Sequence, residues 1–268
     1  VLLYALATLL FYEMKVLFMY TYFFTYQDAL PKNCGFPHFG KIHFIWLAGI
    51  VISIFLLCRI YLHLATTKRL QILSTTVLLS LCCTFTQDAI LTVTGHMNAG
   101  MLPFHLCDLA AFFYLFLQMR ALRTGRFGSL AEITLCLFMP GAVLGILFPV
   151  WSVYPPFHYM TIHGFVYHAL IILYPWLLFV SGNICPKTRH IWQPVLLLCI
   201  IVPPVYVFNK KFDSNYMFIN EPPENTPLAF LADQMGNPGY LFGYAVFIFL
   251  MMLTLYQIFG KLTELLKK

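Results

Sequence analysis

The sequence predicts an all-α membrane protein: a polytopic transmembrane bundle of seven spanning helices with an extra N-terminal apolar helix. Hydrophobic residues make up 60% of the 268 residues and charged residues only 10%, whereas soluble domains carry about 25% charged residues. The apolar residues form long unbroken runs, which favour helices over the short alternating segments of membrane barrels. A soluble enzyme is excluded, because no soluble core of this size hides so much apolar surface.

Seven apolar runs have the length of about 20 residues that a helix needs to cross a bilayer. In chain order they cover His43–Leu62, Leu70–Val93, Met101–Met119, Leu130–Val150, Thr161–Ser181, Ile191–Phe208 and Gly239–Phe259. We therefore treat residues 28–268 as one seven-helix transmembrane domain.

Residues 1–27 precede this domain as an apolar segment with Glu13 and Lys15 in its middle. A spanning helix would bury both charges, which is costly unless they pair. A helix lying in the membrane interface would leave them in contact with water. A natural start at Met14 or Met19 is the third interpretation, and the sequence alone leaves all three open.

Basic residues in alternate loops predict the orientation. Eleven of the 16 Lys and Arg lie in or beside the loops after the first, third and fifth runs and in the C-terminal tail. The intervening loops hold few, and the longest of them, 209–238, sets Lys210 and Lys211 against four acidic residues. Because cytoplasmic loops carry the excess of Lys and Arg, we expect the N-terminus of the bundle outside the cell and the C-terminus in the cytoplasm.

The net charge of +6 thus has a topological meaning. The chain shows no basic stripe with interleaved aromatic residues, so no nucleic-acid partner is expected.

Polar side chains gather toward the outer ends of the runs. Ionisable groups at membrane depth are costly and usually mark a site or a partnered pair. For any single residue, capping of a helix end is the simpler interpretation, but the grouping of several such residues from three helices favours a functional site. The candidates are Gln87, Asp88, His105, Cys107, Asp108 and His163 in the runs, with Asn215 and Glu221 in the outer loop.

Cys107 is the candidate nucleophile and His163 the candidate general base. Cys107 shares a helical stripe with Ala110 and Ala111, and small residues mark the packed side of a membrane helix. With Pro103 in the first turn, the thiol would lie near a helix N-terminus, where the dipole favours a thiolate. Such a thiolate attacks an ester or thioester carbonyl, while an imidazole takes and returns the proton.

The remaining candidates form a supporting shell. His105 and Asp108 are three residues apart and share a helix face, and Gln87 or Asp88 could orient an imidazole. The segment Asn215–Pro223, which contains Glu221, is a candidate lid over the site.

Other chemistries fit the sequence less well. The Gly-x-Ser-x-Gly pattern of serine hydrolases does not occur. His158, His163 and His168 are five residues apart, which turns each about 140° from the last on a helix, so neither a metal nor another cofactor is expected. A small-molecule transporter is the runner-up, because prolines in the fifth and sixth runs could break helices, and a non-catalytic scaffold is the third interpretation.

Several motifs resemble the bacterial YwaF family of integral membrane proteins. Residues Leu102–Asp108 read Leu-Pro-Phe-His-Leu-Cys-Asp, similar to that family's Leu-Pro-Leu-His-Leu-Cys signature. Ile162-His163-Gly164 resembles its Ser-His-Gly, Asn215–Pro223 resembles the stretch before its last helix, and Gly35–Trp46 resembles the start of its first helix. The resemblance covers about residues 27–260 and implies a multi-pass protein of the bacterial plasma membrane.

This family is distantly similar to animal multi-pass acyltransferases that load acyl chains onto ether lysophospholipids, and to androgen-induced multi-pass lipid hydrolases. The Cys and His implicated in the acyltransferases fall on Cys107 and His163. Together with the residue pattern, the resemblance implies a thiol-dependent phospholipid acyltransferase or lipid ester hydrolase. It would act at the outer leaflet, with a membrane phospholipid or lysophospholipid as its partner.

Overall fold

The computed structural model describes residues 22–266, so most of the predicted N-terminal segment 1–27 lies outside the described residues. The described part is all-helical and contains no strand. Its α-helices are α1 Lys41–Leu62, α2 Thr66–Val93, α3 Leu106–Thr124, α4 Met139–Leu147, α5 Tyr159–Val180, α6 Trp192–Phe212, α7 Pro227–Met235 and α8 Tyr240–Leu266.

The predicted membrane bundle is confirmed, with six helical segments of the described chain long and apolar enough to span a bilayer. They contain α1, α2, α4 with its flanking turns (Ser129–Val153), α5, α6 and α8. The third predicted run corresponds to α3, which has 19 residues and carries Arg120 and Arg123 near its end. This helix is shorter than the other six segments and holds three charged residues, Asp108, Arg120 and Arg123, so the predicted number of seven is approximate.

Helix α5 lies at the centre of the bundle. It packs against α1, α2, α3 and α4, and its apolar residues point in all directions, as is typical of a helix buried among others. Tyr114 of α3 donates a hydrogen bond to the carbonyl oxygen of Ile171 at 3.0 Å. The Tyr114 ring stacks on Tyr174 with centroids 4.6 Å apart. These contacts place α3 firmly against the centre of the bundle.

The start of α3 is later than predicted. Residues Ala99–Met101 form a short 3-10 turn, and the expected place of Pro103 in the first helical turn is wrong. His105 is the N-cap, and the Asp108 carboxylate accepts its backbone N–H at 3.1 Å. This reciprocal capping box satisfies the free donors at the helix start, so the helix begins at Leu106, five residues after the predicted boundary.

Two features of the fold shape the interior near α4. A π-helical turn, Thr134–Phe138, precedes it, and Pro140 lies in its first turn. Since proline cannot donate a backbone hydrogen bond, the wider turn accommodates it. By contrast, Pro175, Pro203 and Pro204 lie inside α5 and α6 without interrupting either helix, so the broken helices considered for a transporter are not observed there.

The long loop 209–238 contains a helix that the sequence analysis did not predict. Thr226 caps α7 by accepting the N–H of Ala229 at 3.4 Å, and Pro227 occupies its first position, where a missing N–H costs nothing. Helix α7 packs on α8 and leaves Phe230 and Met235 exposed. The Thr-Pro pair was a readable start signal for this helix.

The packing of α5 against the segment Val150–Val153 generates a stability prediction. A Cβ added at Gly164 would come within 2.5 Å of the Trp151 ring, so Gly164→Ala must displace a large rigid side chain. We expect a loss of about 1–3 kcal/mol in stability, measured by thermal unfolding in detergent. Gly49→Ala is the control, because an added Cβ there meets nothing within 4 Å. An equal or smaller destabilisation by Gly164→Ala than by Gly49→Ala would contradict this packing.

Candidate functional site

A cavity of about 1200 Å³ lies inside the bundle. Residues of α2 to α8 line it. Most of the wall is apolar, but polar groups meet at the ends of α2, α3 and α5. Six of the eight predicted site residues line this cavity: Gln87, Asp88, His105, Cys107, Asp108 and His163.

His105 and Asp108 hold the start of α3 in place. Besides forming the capping box, the His105 Nδ1 accepts the backbone N–H of Met217 at 3.3 Å, and its ring packs against Tyr216 and Phe218. Burial lowers the pKa of His105 to about 4, so the ring is neutral near pH 7 and suited to accept these N–H groups. Both residues therefore position the helix that carries Cys107.

His163 is held in a defined protonation state. Its Nε2 lies 3.1 Å from the carbonyl oxygen of Cys83. Because a carbonyl only accepts, we assign the proton to Nε2, which leaves Nδ1 unprotonated in the neutral ring. A general base needs this arrangement: one nitrogen anchored as a donor and the other free to take a proton.

Tyr167 connects the two candidate catalytic residues. Its hydroxyl donates to the backbone carbonyl of Cys107 at 3.0 Å, and its ring stacks on His163 with centroids 5.5 Å apart and planes 19° from parallel. The Thr84 hydroxyl reaches the same Tyr167 oxygen at 3.2 Å. One phenol thus ties α2, α3 and α5 together. The described residues include no direct hydrogen bond between the Cys107 thiol and His163.

Tyr167 and Thr84 were missed by the sequence analysis. Tyr167 lies four residues after His163 and so shares its helix face, which was the available signal. Its second partner, Cys107, is 60 residues away in the chain, and no local pattern indicates that contact.

A third imidazole, that of His168, also lines the cavity. The Nδ1 of His168 lies 2.8 Å from the Gly164 carbonyl oxygen, so by the same reasoning its Nε2 is unprotonated. Its ring fits against Gly145, where an added Cβ would come within 2.7 Å of it. No three His, Cys, Asp or Glu side chains of the described chain converge as metal ligands do.

The loop residues Asn215 and Glu221 do not line the cavity. The Asn215 side chain donates to the Glu221 carbonyl at 2.8 Å and accepts the N–H groups of Asn220 and Glu221, both at 3.1 Å. Asn215 therefore closes its own loop. The residues that follow it do reach the cavity wall: Met217, Phe218 and Ile219.

The turn that carries Met217, Phe218 and Ile219 is held by hydrogen bonds of Tyr216 and has a strained backbone. The Tyr216 hydroxyl donates to the Ala99 carbonyl at 2.7 Å and accepts the Leu102 N–H at 2.6 Å. Met217 and Phe218 both have positive φ, 56° and 55°, a conformation that is costly for such side chains. Strain of this kind persists where surrounding contacts impose it, often beside a functional site.

Residues 38–256 of the chain match the TMEM164 family. This range covers most of the chain and contains all the candidate site residues. The chain belongs to the TMEM164 family. TMEM164 is a multi-pass membrane family, in agreement with the bundle described above. The match does not confirm the YwaF resemblance or the similarity to acyltransferases, and no curated protein and no solved structure matches the chain.

The Tyr167 hydroxyl generates the prediction for this site. Tyr167→Phe keeps the ring stacked on His163 but leaves the Cys107 carbonyl without that donor, so we expect a loss of about 1 kcal/mol or more in stability. Tyr206→Phe is the control, because the Tyr206 hydroxyl makes no hydrogen bond within the described chain. Thermal unfolding in detergent compares the two, and an unchanged Tyr167→Phe protein would show that the hydroxyl does not hold α3 to α5.

Proposed function

We propose that this membrane protein is a thiol-dependent lipid enzyme that transfers the acyl group of a phospholipid, or hydrolyses it, with Cys107 as nucleophile and His163 as general base. The carrying observation is that both residues line one large, mostly apolar cavity, and that the His163 Nδ1 makes no hydrogen bond within the described chain. The two reactions differ only in the final acceptor, a lysophospholipid hydroxyl or water.

The shape and chemistry of the cavity support a lipid substrate. Pockets for drug-sized ligands measure about 300–1,000 Å³, and this cavity is larger, at about 1200 Å³. Its wall on α6 and α8 is mostly apolar and suits acyl chains, and the polar residues Gln87, Asp88, His105, Asp108 and His163 line it near the end of α2 and the starts of α3 and α5. An amphipathic molecule with long chains matches this division, whereas a small polar solute would leave most of the wall without a partner.

In the proposed reaction, the Cys107 thiol proton passes to the His163 Nδ1, and the sulfur attacks the acyl carbonyl carbon. The bond from that carbon to the donor's oxygen or sulfur breaks, and His163 returns the proton to the leaving group. The acyl group is then a thioester on Cys107. In the second half, His163 takes a proton from the acceptor hydroxyl or water, whose oxygen attacks the thioester, and the proton returns to the departing Cys107 sulfur.

The lack of a direct thiol–imidazole hydrogen bond is compatible with this proposal. Catalytic hydrogen bonds are often long without substrate and tighten when it binds. Tyr167 already constrains both partners through the Cys107 backbone and the His163 ring.

The proposal includes a membrane orientation in which the candidate site faces the outer leaflet. The polar end of the cavity lies where α2 ends and α3 and α5 begin, whereas the basic residues Lys68, Arg69, Arg120 and Arg123 lie at the opposite ends of α2 and α3. Since basic loops face the cytoplasm, the site would face the outer leaflet. The ester carbonyls of phospholipids lie at the same interfacial depth.

The proposal predicts the kinetics of three variants. With purified protein, a lysophospholipid and a labelled acyl donor, we expect Cys107→Ser to lower acyl transfer or fatty-acid release by about 10³-fold or more. His163→Ala should lower it by about 10²–10⁴-fold. The control is Cys199→Ser, because Cys199 lines the same cavity from α6 and should keep wild-type activity.

Equal rates for Cys107→Ser and Cys199→Ser would refute the role of Cys107. A transporter would keep its function in Cys107→Ser, and a scaffold would keep it in all three variants.

A further inference from the structure

We propose that Lys210, at the outer end of α6, binds the phosphate of the phospholipid whose acyl chain occupies the cavity. This inference rests on the proposed function, because it assumes that the cavity holds a lipid. It adds a recognition site for the headgroup. The candidate catalytic and supporting residues do not supply one, because they include no lysine or arginine.

The face of α6 that lines the cavity points directly to Lys210. Val195, Cys199, Val202 and Tyr206 all line the cavity and are spaced by three or four residues, so they form one stripe along the helix. Lys210 follows Tyr206 by four residues and continues that stripe outward. A chain lying along the stripe would therefore lead to the Lys210 side chain.

Contacts of Lys210 keep it beside the cavity. Its Nζ lies over the Tyr206 ring, 5.6 Å from the centroid, as in a cation–π pair, and Tyr206 is itself part of the cavity wall. Within the described residues, no carboxylate forms a salt bridge with Lys210. Its positive charge is therefore available to an anion, and its flexible stem can follow the membrane interface.

The depth of Lys210 suits a phosphate whose ester lies at Cys107. The adjacent Asn209 is fully buried and bonds both the carbonyl and the N–H of Tyr216, at 2.9 and 3.0 Å. The Tyr216 hydroxyl is bonded to Ala99 and Leu102, so the end of α6 lies level with the segment just outside Cys107. In a phospholipid the phosphate likewise lies outward of the ester carbonyls.

Lys211 provides a matched control. It has the same charge, is also exposed and lies at nearly the same depth, but the next helical residue is turned by about 100°. Its Nζ lies over the Phe212 ring, 5.4 Å from the centroid, and Phe212 does not line the cavity. A general attraction of lipids by positive charge would depend on both lysines equally.

The test measures lipid binding separately from catalysis. Native mass spectrometry of the purified full chain would follow titration with phosphatidylcholine and with a diacylglycerol of the same acyl chains. We expect Lys210→Gln to weaken phosphatidylcholine binding by about tenfold and to leave diacylglycerol binding unchanged. Lys211→Gln should leave both unchanged, and excess inorganic phosphate should leave the bound phosphatidylcholine in place.

Three results would overturn the proposal: equal losses in the two lysine variants, an equal loss of diacylglycerol binding in Lys210→Gln, or displacement of the lipid by inorganic phosphate. Cys107→Ser serves to separate this inference from the enzymatic one, since it should bind phosphatidylcholine like the wild type. If Lys210-dependent binding is found while the wild type transfers no acyl group, the phosphate site stands and the proposed reaction fails.

Discussion

The phenol of Tyr167 is the contact on which the geometry of the candidate site depends. Its hydroxyl meets the Cys107 carbonyl and the Thr84 hydroxyl, and its ring lies on His163. Inside a membrane bundle a polar group has no water as an alternative hydrogen-bond partner, so it depends on the few protein groups within reach. One side chain of the central helix thereby sets where α2 and α3 stand relative to the imidazole.

The need to satisfy polar groups inside the bundle also explains why the cavity has a polar part and an apolar part. Polar residues near the end of α2 and the starts of α3 and α5 satisfy one another or the backbone, as His105 and Asp108 do, and Asn215 does so within its own loop. Within the described chain, the second ring nitrogen of His163 and that of His168 make no hydrogen bond, and both rings line the cavity together with Cys107. A long apolar wall continues from this polar end along α6 and α8. This division of the cavity is the reason for proposing an amphipathic lipid as its ligand.

Hydropathy predicted the helices well because the bilayer imposes a length on each of them. The predicted runs His43–Leu62 and Leu70–Val93 correspond to α1 and α2 within four residues. Errors arose where local hydrogen bonding overrides hydropathy: the capping box at His105 delays the start of α3, and the start signal at Thr226 and Pro227 forms a short helix in a segment treated as a loop.

The sequence predicted which residues line the candidate site, but not the hydrogen bonds between them. Gln87, Asp88 and the residues around Cys107 were identified because polar groups at membrane depth are conspicuous, and the structure brings them to one cavity. The roles of Tyr167 and the protonation of His163 depend on contacts 60 and 80 residues distant in sequence, which no periodic pattern encodes. Asn215 shows the converse: a conspicuous polar residue whose bonds all lie within its own loop.

The central claim is that the Cys107 sulfur carries the acyl group during turnover. The most direct measurement is mass spectrometry of the protein after brief incubation with an acyl donor in the absence of an acceptor. The account predicts an acyl adduct on the peptide containing Cys107, released by hydroxylamine as a thioester and absent from the Cys107→Ala protein. Turnover without any adduct on Cys107, or an adduct on Cys199 instead, would contradict it.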